Sequence, residues 1–383
     1  MTYLEAGLEV LKLIHMNGYE AYFVGGFVRD HILGVASNDI DIATNALPEQ
    51  ISNIFKVINS GIKYNCVTIK YDCYSFETTT YRLEEEYRDN RHPIYKVAST
   101  LSMDLKRRDF TINALAMDVD FNVIDLFDGL SDLKEGIIRT VNEPSKRFTE
   151  DALRMLRAAY FAAKLGFKIE SDTLAGMRKC AYLIQNLSND RIAWELEKII
   201  NSKHQMIGLN YLIETNIAPY LQTFKNGIYL ISQKRLSDIL WHDFLALSFY
   251  ENISELRNIN LKSDVVSDIT TAIVFSKDNI KNKFSVNDVF EKGLKVCLLS
   301  NKLNVIFQKS KDNSSLINKI YQEMPIKKMS ELAIKGQDIL DNIELKEHKI
   351  IGQILLDVRN LVLNGKLSNE KELILAYIRK HYY

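Results

Sequence analysis

The first third of the chain alternates between helical and extended patterns of hydrophobic residues. The segment EAGLEVLKLIHMNGYE has apolar residues at helical spacing and closes with Gly18, a residue that commonly ends helices. Four short segments instead carry the alternating, β-branched or aromatic residues of strands: AYFVGG, YNCVTIKYD, YSFETTTYR and NVIDLFDG. Residues 1–140 are therefore predicted to form an α/β head.

Helical spacing dominates from about residue 147 almost to the end of the chain. FTEDALRMLRAAYFAAKLGF is predicted to be one helix, capped by Ser145 or Thr149 and closed by Gly166, and SQKRLSDILWHDFLALSFYENI is predicted to be another. No sequence repeat or low-complexity tract divides this part. We predict a head over residues 1–140 and three helical parts, which are a neck, a body and a tail over 141–195, 196–310 and 311–383.

Composition narrows the class of protein. Of the 383 residues, 46% are hydrophobic and 26% are charged, as is typical of soluble globular proteins. No apolar run approaches the roughly 18 residues of a membrane span. The four cysteines form no C-x-x-C pair and no signal peptide is recognisable, so a cytoplasmic protein without disulfides is expected. With 49 basic and 49 acidic residues, any polyanion must be bound by local patches.

The sequence SNDIDIATNALPEQ places two carboxylates one residue apart. In a strand Asp39 and Asp41 project from one face, whereas Ile40 and Ile42 project from the other. The pair is either a solvated strand end or a Mg²⁺ site that triphosphate oxygens complete. Glu77, on a neighbouring predicted strand, is a candidate third carboxylate.

Two other segments of the head carry groups suited to phosphates and sugars. In YFVGGFVRD, Gly25 and Gly26 allow backbone amides to approach a phosphate, and Arg29 adds a charged donor. The alternative is a tight strand-to-helix turn with a surface arginine. In LKRRDFTINALAMD, the arginine pair suits phosphates and the following acid and amide suit ribose hydroxyls, although a solvated start of a helix is the alternative.

The segment KRFTEDALRMLRAAYF could distinguish bases. On one helix, Asp151 and Arg154 are three residues apart, as are Arg154 and Arg157, so acid and base would share a side. A carboxylate acceptor beside a guanidinium donor matches the pairing edges of cytosine and adenine and mismatches uracil and guanine, which is worth about 1–3 kcal/mol per bidentate contact. The alternative is a surface salt-bridge ladder.

The motifs YFVGGFVRD, NDIDIAT, RRDFTINALA and RFTEDALRMLRAAYF, in this order, resemble those of class II tRNA nucleotidyltransferases, the CCA-adding enzymes of the bacterial type without a hydrolase domain. The resemblance implies an α/β nucleotidyltransferase head of polymerase-beta type, with a mixed sheet, followed by an all-helical neck, body and tail. It also implies addition of C, C and A to the 3′ end of tRNA, from CTP and ATP with Mg²⁺. A bacterial poly(A) polymerase, a CC-adding enzyme and a tRNA-binding protein without catalysis are the alternatives.

The resemblance implies a role for individual residues. Asp39 and Asp41 become the catalytic pair that binds the metal. The nucleotide-binding residues that it implies are Gly26, Arg29 and Arg108 for the triphosphate, Asp109 and Asn113 for the ribose, and Asp151, Arg154 and Arg157 for the base and the rest of the nucleotide.

Other segments extend or qualify the resemblance. Glu150 is expected to orient Arg154, and Tyr160 stands where the family commonly has a further arginine. LEEEYRDNRHPIYKVA, residues 83–98, resembles the flexible loop of enzymes that add A as well as C, and is otherwise a polar surface loop. NLSNDRIAWELEKII is expected to support the base-reading helix, and MPIKKMSELAIKGQDIL resembles a tRNA-binding tail. The His242–Asp243 pair lacks the further ligands of a metal phosphohydrolase and is expected to be an ordinary part of a helix.

Overall fold

The computed structural model describes residues 1–37, 39–61, 65–87, 93–279, 281–307, 311–343 and 348–382. The chain forms two compact units, Met1–Trp241 and His242–Tyr383. No helix among the described residues is long and apolar enough to cross a membrane.

A seven-stranded mixed sheet forms the centre of the head, as the alternating patterns predicted. Its spatial order is β3-β4-β5-β2-β1-β8-β9, and only β2 and β5 run parallel as neighbours. The strands are β1 (Ala21–Val24), β2 (Asp41–Thr44), β3 (Lys56–Gly61), β4 (Cys66–Tyr71), β5 (Tyr74–Thr80), β8 (Leu115–Met117) and β9 (Val123–Asp125).

The two ends of the predicted 83–98 loop are strands rather than irregular loop. β6 (Arg82–Tyr87) and β7 (Pro93–Val97) pair antiparallel in a separate two-stranded sheet. Residues 88–92 of this segment lie outside the described residues. The predicted role of this loop in adding A stays a prediction.

Five α-helices accompany the sheet in the part of the head that the structure describes. The first helix begins with a capping box between Thr2 and Glu5 and buries the stripe Ala6, Val10 and Ile14, the periodicity from which it was predicted. The five are α1 (Tyr3–Met16), α2 (Gly26–Ile32), α3 (Pro48–Ile54), α4 (Leu101–Lys106) and α5 (Gly129–Glu135).

The prediction of a single helix for FTEDALRMLRAAYFAAKLGF is wrong. The chain forms α6 (Pro144–Glu150) and α7 (Leu153–Leu165), with Asp151 in an extended conformation between them. The Asp151 carboxylate accepts a hydrogen bond from the Leu153 amide at 3.0 Å, so the side chain competes for the backbone donor and a new helix starts there. The cap of α6 is also not Ser145 or Thr149 but Glu143, which accepts from the amides of the first turn.

The rest of the first unit is almost entirely helical. α7 packs against α9 and α10, and a two-residue parallel pair joins β10 (Ile137–Ile138) to β11 (Lys168–Ile169). The helices are α8 (Ser171–Cys180), α9 (Asn189–Ile200), α10 (Gln205–Glu214) and α11 (Phe224–Lys234). The single helix predicted from SQKRLSDILWHDFLALSFYENI is wrong, because Arg235 adopts a left-handed conformation that ends α11 before α12 (Trp241–Ser248) begins.

The second unit is helical in its described residues. Its core includes Ile317, Ile354, Val358 and Ile374, all fully buried. The helices are α13 (Ser263–Asp278), α14 (Val286–Lys292), α15 (Leu294–Ile306), α16 (Ser314–Glu323), α17 (Gly336–Asn342), α18 (Ile351–Leu363) and α19 (Lys371–Tyr382). The predicted limits of neck, body and tail stay predictions.

Candidate active site

One cleft of about 560 Å³ in the first unit is lined by the ten residues to which the resemblance assigned a catalytic or nucleotide-binding role, but not by Glu77, the candidate third carboxylate. These residues come from five elements or their ends and are separated by up to 131 positions in the chain, from 26 to 157. They are Gly26, Arg29, Asp39, Asp41, Arg108, Asp109, Asn113, Asp151, Arg154 and Arg157.

The two acids of the D-x-D motif lie where β2 begins. Asp41 is the first residue of the strand and Asp39 comes just before it. Ile40 and Ile42 are 2% and 1% exposed, whereas both acids line the cleft, so the predicted alternation is confirmed. The parallel pairing of β2 with β5 sets Glu77 opposite Asp41, next to the D-x-D pair.

The environment of Asp41 disfavours its ionised form. Burial, and then the negative charge of Glu77, raise the pKa of Asp41 to about 6, although the Arg108 guanidinium opposes the shift. Carboxylate oxygens are the ligands that hard divalent cations prefer, and a cation here would compensate the crowded charges. No group of three or more His, Cys, Asp or Glu side chains within the described ranges forms a metal cage, and Mg²⁺-type sites characteristically use one or two carboxylates with phosphate oxygens. The donor set therefore fits a divalent cation that is shared with a phosphate.

Gly25 allows an arginine to approach the acidic pair. Its backbone has φ of +70°, which favours glycine, and a Cβ atom on it would lie 2.9 Å from Nη1 of Arg108 and 3.8 Å from an oxygen of Asp41. The glycine therefore leaves the space in which the Arg108 guanidinium lies beside the carboxylates.

Asp104 holds the arginine pair, and the sequence reasoning did not single it out. Its side chain is 1% exposed and pairs with Nη2 of Arg107 at 2.7 Å and with Nη2 of Arg108 at 3.0 Å. Burial alone would raise the pKa of Asp104, but the two guanidinium groups outweigh it and lower that pKa. The i,i+3 and i,i+4 spacing in DLKRR was the signal that could have identified this residue.

Arg29 belongs to a buried polar chain at the floor of the cleft. Its guanidinium donates to the Asn113 amide oxygen at 2.6 Å and pairs with Asp30 at 2.7 Å. It also lies 5.2 Å from the centre of the Phe161 ring, and Arg157 lies 5.3 Å from the same ring. The Phe161 ring thus contacts two of the cations to which the resemblance assigned nucleotide binding.

Asp109 joins the ribose motif to α7. One carboxylate oxygen accepts from the Asn113 amide at 3.1 Å and the other accepts from Nε of Arg157 at 2.7 Å. Burial alone would raise the pKa of Asp109, but Arg157 and the Asn113 hydrogen bond outweigh it and lower the pKa to about 2. Asp109 is therefore a carboxylate, and an acceptor, at any physiological pH.

The Arg154 guanidinium is fixed by several acceptors. It donates to the Glu150 carboxylate at 2.8 Å, to the Arg147 carbonyl at 3.1 Å and to the Arg107 carbonyl at 3.2 Å. The contact with Glu150 is the one that the resemblance led us to expect. These contacts tie the start of α7 to the arginine motif of the head.

Asp151 has a partner that the sequence reasoning missed. Nη2 of Arg191, on α9, lies 3.1 Å from the Asp151 carboxylate. The two residues are 40 positions apart, so no spacing rule could pair them, although the expectation that NLSNDRIAWELEKII supports this region agrees with the contact. Asp151 and Arg154 lie at the junction of two helices rather than along one helix.

Three further residues line the cleft beside Phe161. Tyr160 and Lys164 come from α7, and Lys198 comes from α9 with its ammonium 4.6 Å from the centre of the Tyr160 ring. Where the family commonly has an arginine, the tyrosine here thus has a lysine over its ring.

The His242–Asp243 pair lies in the second unit, apart from these residues in the chain. The His242 side chain is exposed, whereas Asp243 is buried and pairs with Lys302 at 2.6 Å.

Three protein families match consecutive parts of the chain. Residues 21–139 match the Poly A polymerase head domain, and residues 166–224 match the "Probable RNA and SrmB- binding site of polymerase A". Residues 240–378 match tRNA nucleotidyltransferase domain 2.

Similar proteins of known name match over nearly the full length. The CCA-adding enzyme of Ligilactobacillus salivarius is 35% identical over 97% of this chain and 95% of its own, and that of Lactococcus lactis subsp. cremoris is 36% identical over the same shares. The crystal structure of the Bacillus stearothermophilus CCA-adding enzyme in complex with CTP is 30% identical, with a TM-score of 0.82 over 99% of this chain and 98% of that one. A Thermotoga maritima CCA-adding enzyme complexed with tRNA shares the fold at 20% identity, with a TM-score of 0.67 over 98% and 95% of the two chains.

Proposed function

Because the chain belongs to the CCA-adding enzymes, which are tRNA nucleotidyltransferases, we propose how its cleft adds C, C and A in turn to the 3′ end of tRNA. CTP and ATP are the nucleotide substrates, and tRNA is the primer whose terminal hydroxyl attacks the α-phosphate and displaces pyrophosphate. The observation that carries the proposal is the convergence of all the predicted residues, from separate motifs, on one cleft.

We assign the cation to Asp39 and Asp41 and propose that it is Mg²⁺, with the nearby Glu77 adding negative charge to the site. The crowded carboxylates and the raised pKa of Asp41 support this assignment, since a bound cation would stabilise the ionised forms. When bound, Mg²⁺ activates the attacking hydroxyl and neutralises the charge that develops on the leaving pyrophosphate.

The triphosphate lies on the arginine side of the acids in this proposal. Arg108 is oriented by Asp104 and has room beside Gly25, so its guanidinium can donate to phosphate oxygens while the buried acid fixes its direction. Gly26 leaves the backbone open to the phosphates from the start of α2. Arg29 acts from the floor of the cleft, where it also orients Asn113.

Asp109 and Asn113 bind the ribose hydroxyls, and Asp151 and Arg154 read the base. The low pKa of Asp109 keeps it an acceptor for a sugar hydroxyl. Arg154 is held by Glu150, and Asp151 by Arg191, so the donor and the acceptor are set before a nucleotide arrives. Their combination favours C and A over U and G, so protein side chains select the nucleotide in place of a template strand. Arg157 supports this arrangement through Asp109 and Phe161.

The remaining helices of the chain bind the tRNA, and they recognise its shape rather than its sequence. We also propose that the enzyme acts in the cytoplasm, where its tRNA and nucleotide substrates are found. The match of residues 166–224 to an RNA-binding region supports the first part of this proposal. If the tRNA is held through its phosphates, the affinity for tRNA should fall steeply as the salt concentration rises.

The experiment that tests the reaction is a primer extension. The protein is incubated with tRNA that ends before CCA, with CTP and ATP singly and together, and the products are sequenced. We expect CC from CTP alone and CCA from both nucleotides. A long A tail would instead indicate a poly(A) polymerase, and CC from both nucleotides a CC-adding enzyme. Asp41→Ala is expected to abolish addition, whereas Asp120→Ala, an exposed acid of the head that does not line the cleft, serves as the matched control.

The base-reading assignment has its own test. Arg154→Ala removes the guanidinium donor, so incorporation of UTP and GTP relative to CTP should rise by roughly 5- to 150-fold, the equivalent of about 1–3 kcal/mol. Arg178→Ala is the control, because Arg178 pairs with Glu214 on the surface and does not line the cleft. If selectivity is unchanged in Arg154→Ala, the base is read elsewhere.

A further inference from the structure

A strongly exposed tryptophan lies next to the cleft. Trp194, on α9, is 67% exposed, whereas the other tryptophan of the chain, Trp241, is 7% exposed. An exposed indole beside a cleft offers an aromatic face on which a planar ligand can stack. We use the name tryptophan surface for Trp194 together with Tyr160, Lys164, Lys198 and Lys203.

Two packed helices build the tryptophan surface. On α9, Trp194 and Lys198 are four residues apart and so lie on one face, and on α7 Tyr160 and Lys164 have the same spacing. Helices α7 and α9 pack against each other, which brings the two pairs to a common groove of about 590 Å³.

The groove is continuous with the candidate active site. Tyr160, Lys164 and Lys198 line the cleft as well as the groove that contains Trp194. A chain that occupies the groove therefore meets the nucleotide-binding residues without crossing another element.

The chemistry of the groove suits single-stranded nucleic acid. Its lining has three lysines, Lys164, Lys198 and Lys203, and one acid, Glu197. Lys164 pairs with Asp30 at 3.3 Å and Lys198 pairs with Glu195 at 2.6 Å, whereas Lys203 has no such ion pair within the described residues. Lys203 is therefore the cation of the groove that best suits a phosphate of a nucleic-acid backbone. An exposed indole offers a face on which any base can stack, and aromatic side chains combined with a basic groove are the usual means of binding single strands.

We propose that the tryptophan surface binds the single-stranded 3′ end of the tRNA primer, with one base stacked on the Trp194 indole and Lys203 against an adjacent phosphate. This inference rests on the proposed function, in which that 3′ end must reach Asp39 and Asp41. Trp194 is thus a primer-positioning residue rather than a catalytic one.

The first test separates primer binding from nucleotide binding. Because stacking of one base is lost in Trp194→Ala, the KM for tRNA lacking CCA should rise by roughly 5- to 150-fold, while the KM for CTP stays the same. Trp194→Phe keeps an aromatic face and should restore most of the affinity. Leu240→Ala is the matched control, since Leu240 is 66% exposed in the same unit but lines neither the cleft nor the groove.

The second test observes the indole directly. Fluorescence is recorded for the wild type and for Trp194→Phe during titration with a short single-stranded RNA of tRNA 3′-end sequence, and the difference between the two belongs to Trp194. Saturable quenching by the RNA supports the proposal.

Two results would overturn the inference while leaving CCA addition intact. One is an unchanged KM for tRNA in Trp194→Ala. The other is an indole signal that responds to protein concentration and not to RNA, which would indicate that a second copy of the chain occupies this surface. A wild-type protein that binds the RNA but adds no nucleotide would instead refute the proposed function.

Discussion

The unusual ionisation of Asp41 leads to a prediction about stability. In the fold its pKa is raised from 3.8 to about 6, chiefly by burial and then by Glu77. A raised carboxyl pKa means that the protonated form stabilises the fold, so this contribution is present below pH 3.8 and is lost as the pH rises through about 6. Above that range the ionised carboxylate costs the wild type about 3 kcal/mol in the absence of a cation.

Asp41→Asn removes this charge and keeps the size of the side chain. We therefore expect the variant to have nearly the same free energy of unfolding as the wild type near pH 4, and to exceed it by up to about 3 kcal/mol at pH 7 without divalent cations. The measurement is urea unfolding across this pH range in a chelator, followed by circular dichroism. Added magnesium should narrow the difference, because only the wild type has both of the carboxylates that we propose bind it.

An exposed aspartate of the head serves as the control for Asp41→Asn. Asp120→Asn changes an exposed acid of the same head that does not line the cleft, and should show no such dependence on pH. If the difference between Asp41→Asn and the wild type is the same at pH 4 and pH 7, the crowding of charge at the D-x-D motif has been misjudged.

Two other substitutions test the supports of the arginine motif. Gly25→Ala should lower the free energy of unfolding by about 1–3 kcal/mol through backbone strain. It should also raise the KM for CTP, because the added Cβ displaces Arg108. Gly34→Ala is the control: Gly34 has a similar positive φ but lies in open space, so this variant should show the strain alone. Asp104→Asn removes the buried negative charge that pairs with Arg107 and Arg108, and should lower the free energy of unfolding, measured by thermal denaturation, by about 3–5 kcal/mol. Glu214→Gln, which changes an exposed ion pair, is the control and should lower it by less than about 1 kcal/mol.

The residues of the cleft were predictable where the chemistry is local in sequence. The D-x-D motif predicts that both acids lie on one face of a strand, because side chains alternate with a two-residue period. The burial of Ile40 and Ile42 confirms this alternation. The break at Asp151 was not predictable from periodicity, because the apolar spacing continues through it while the aspartate side chain takes the backbone donor of the next turn. The partnership of Asp151 with Arg191 depends on how α7 packs against α9, which no spacing rule contains.

The carbonyl oxygen of Arg107 has a consequence for fidelity. Arg154, which we propose reads the base, donates to that oxygen, and the next residue along the chain is Arg108, which we propose binds the triphosphate. A single peptide segment thus links the two proposed contacts. We expect a mismatched nucleotide both to bind more weakly and to react more slowly, so that errors are rejected in kcat as well as in KM.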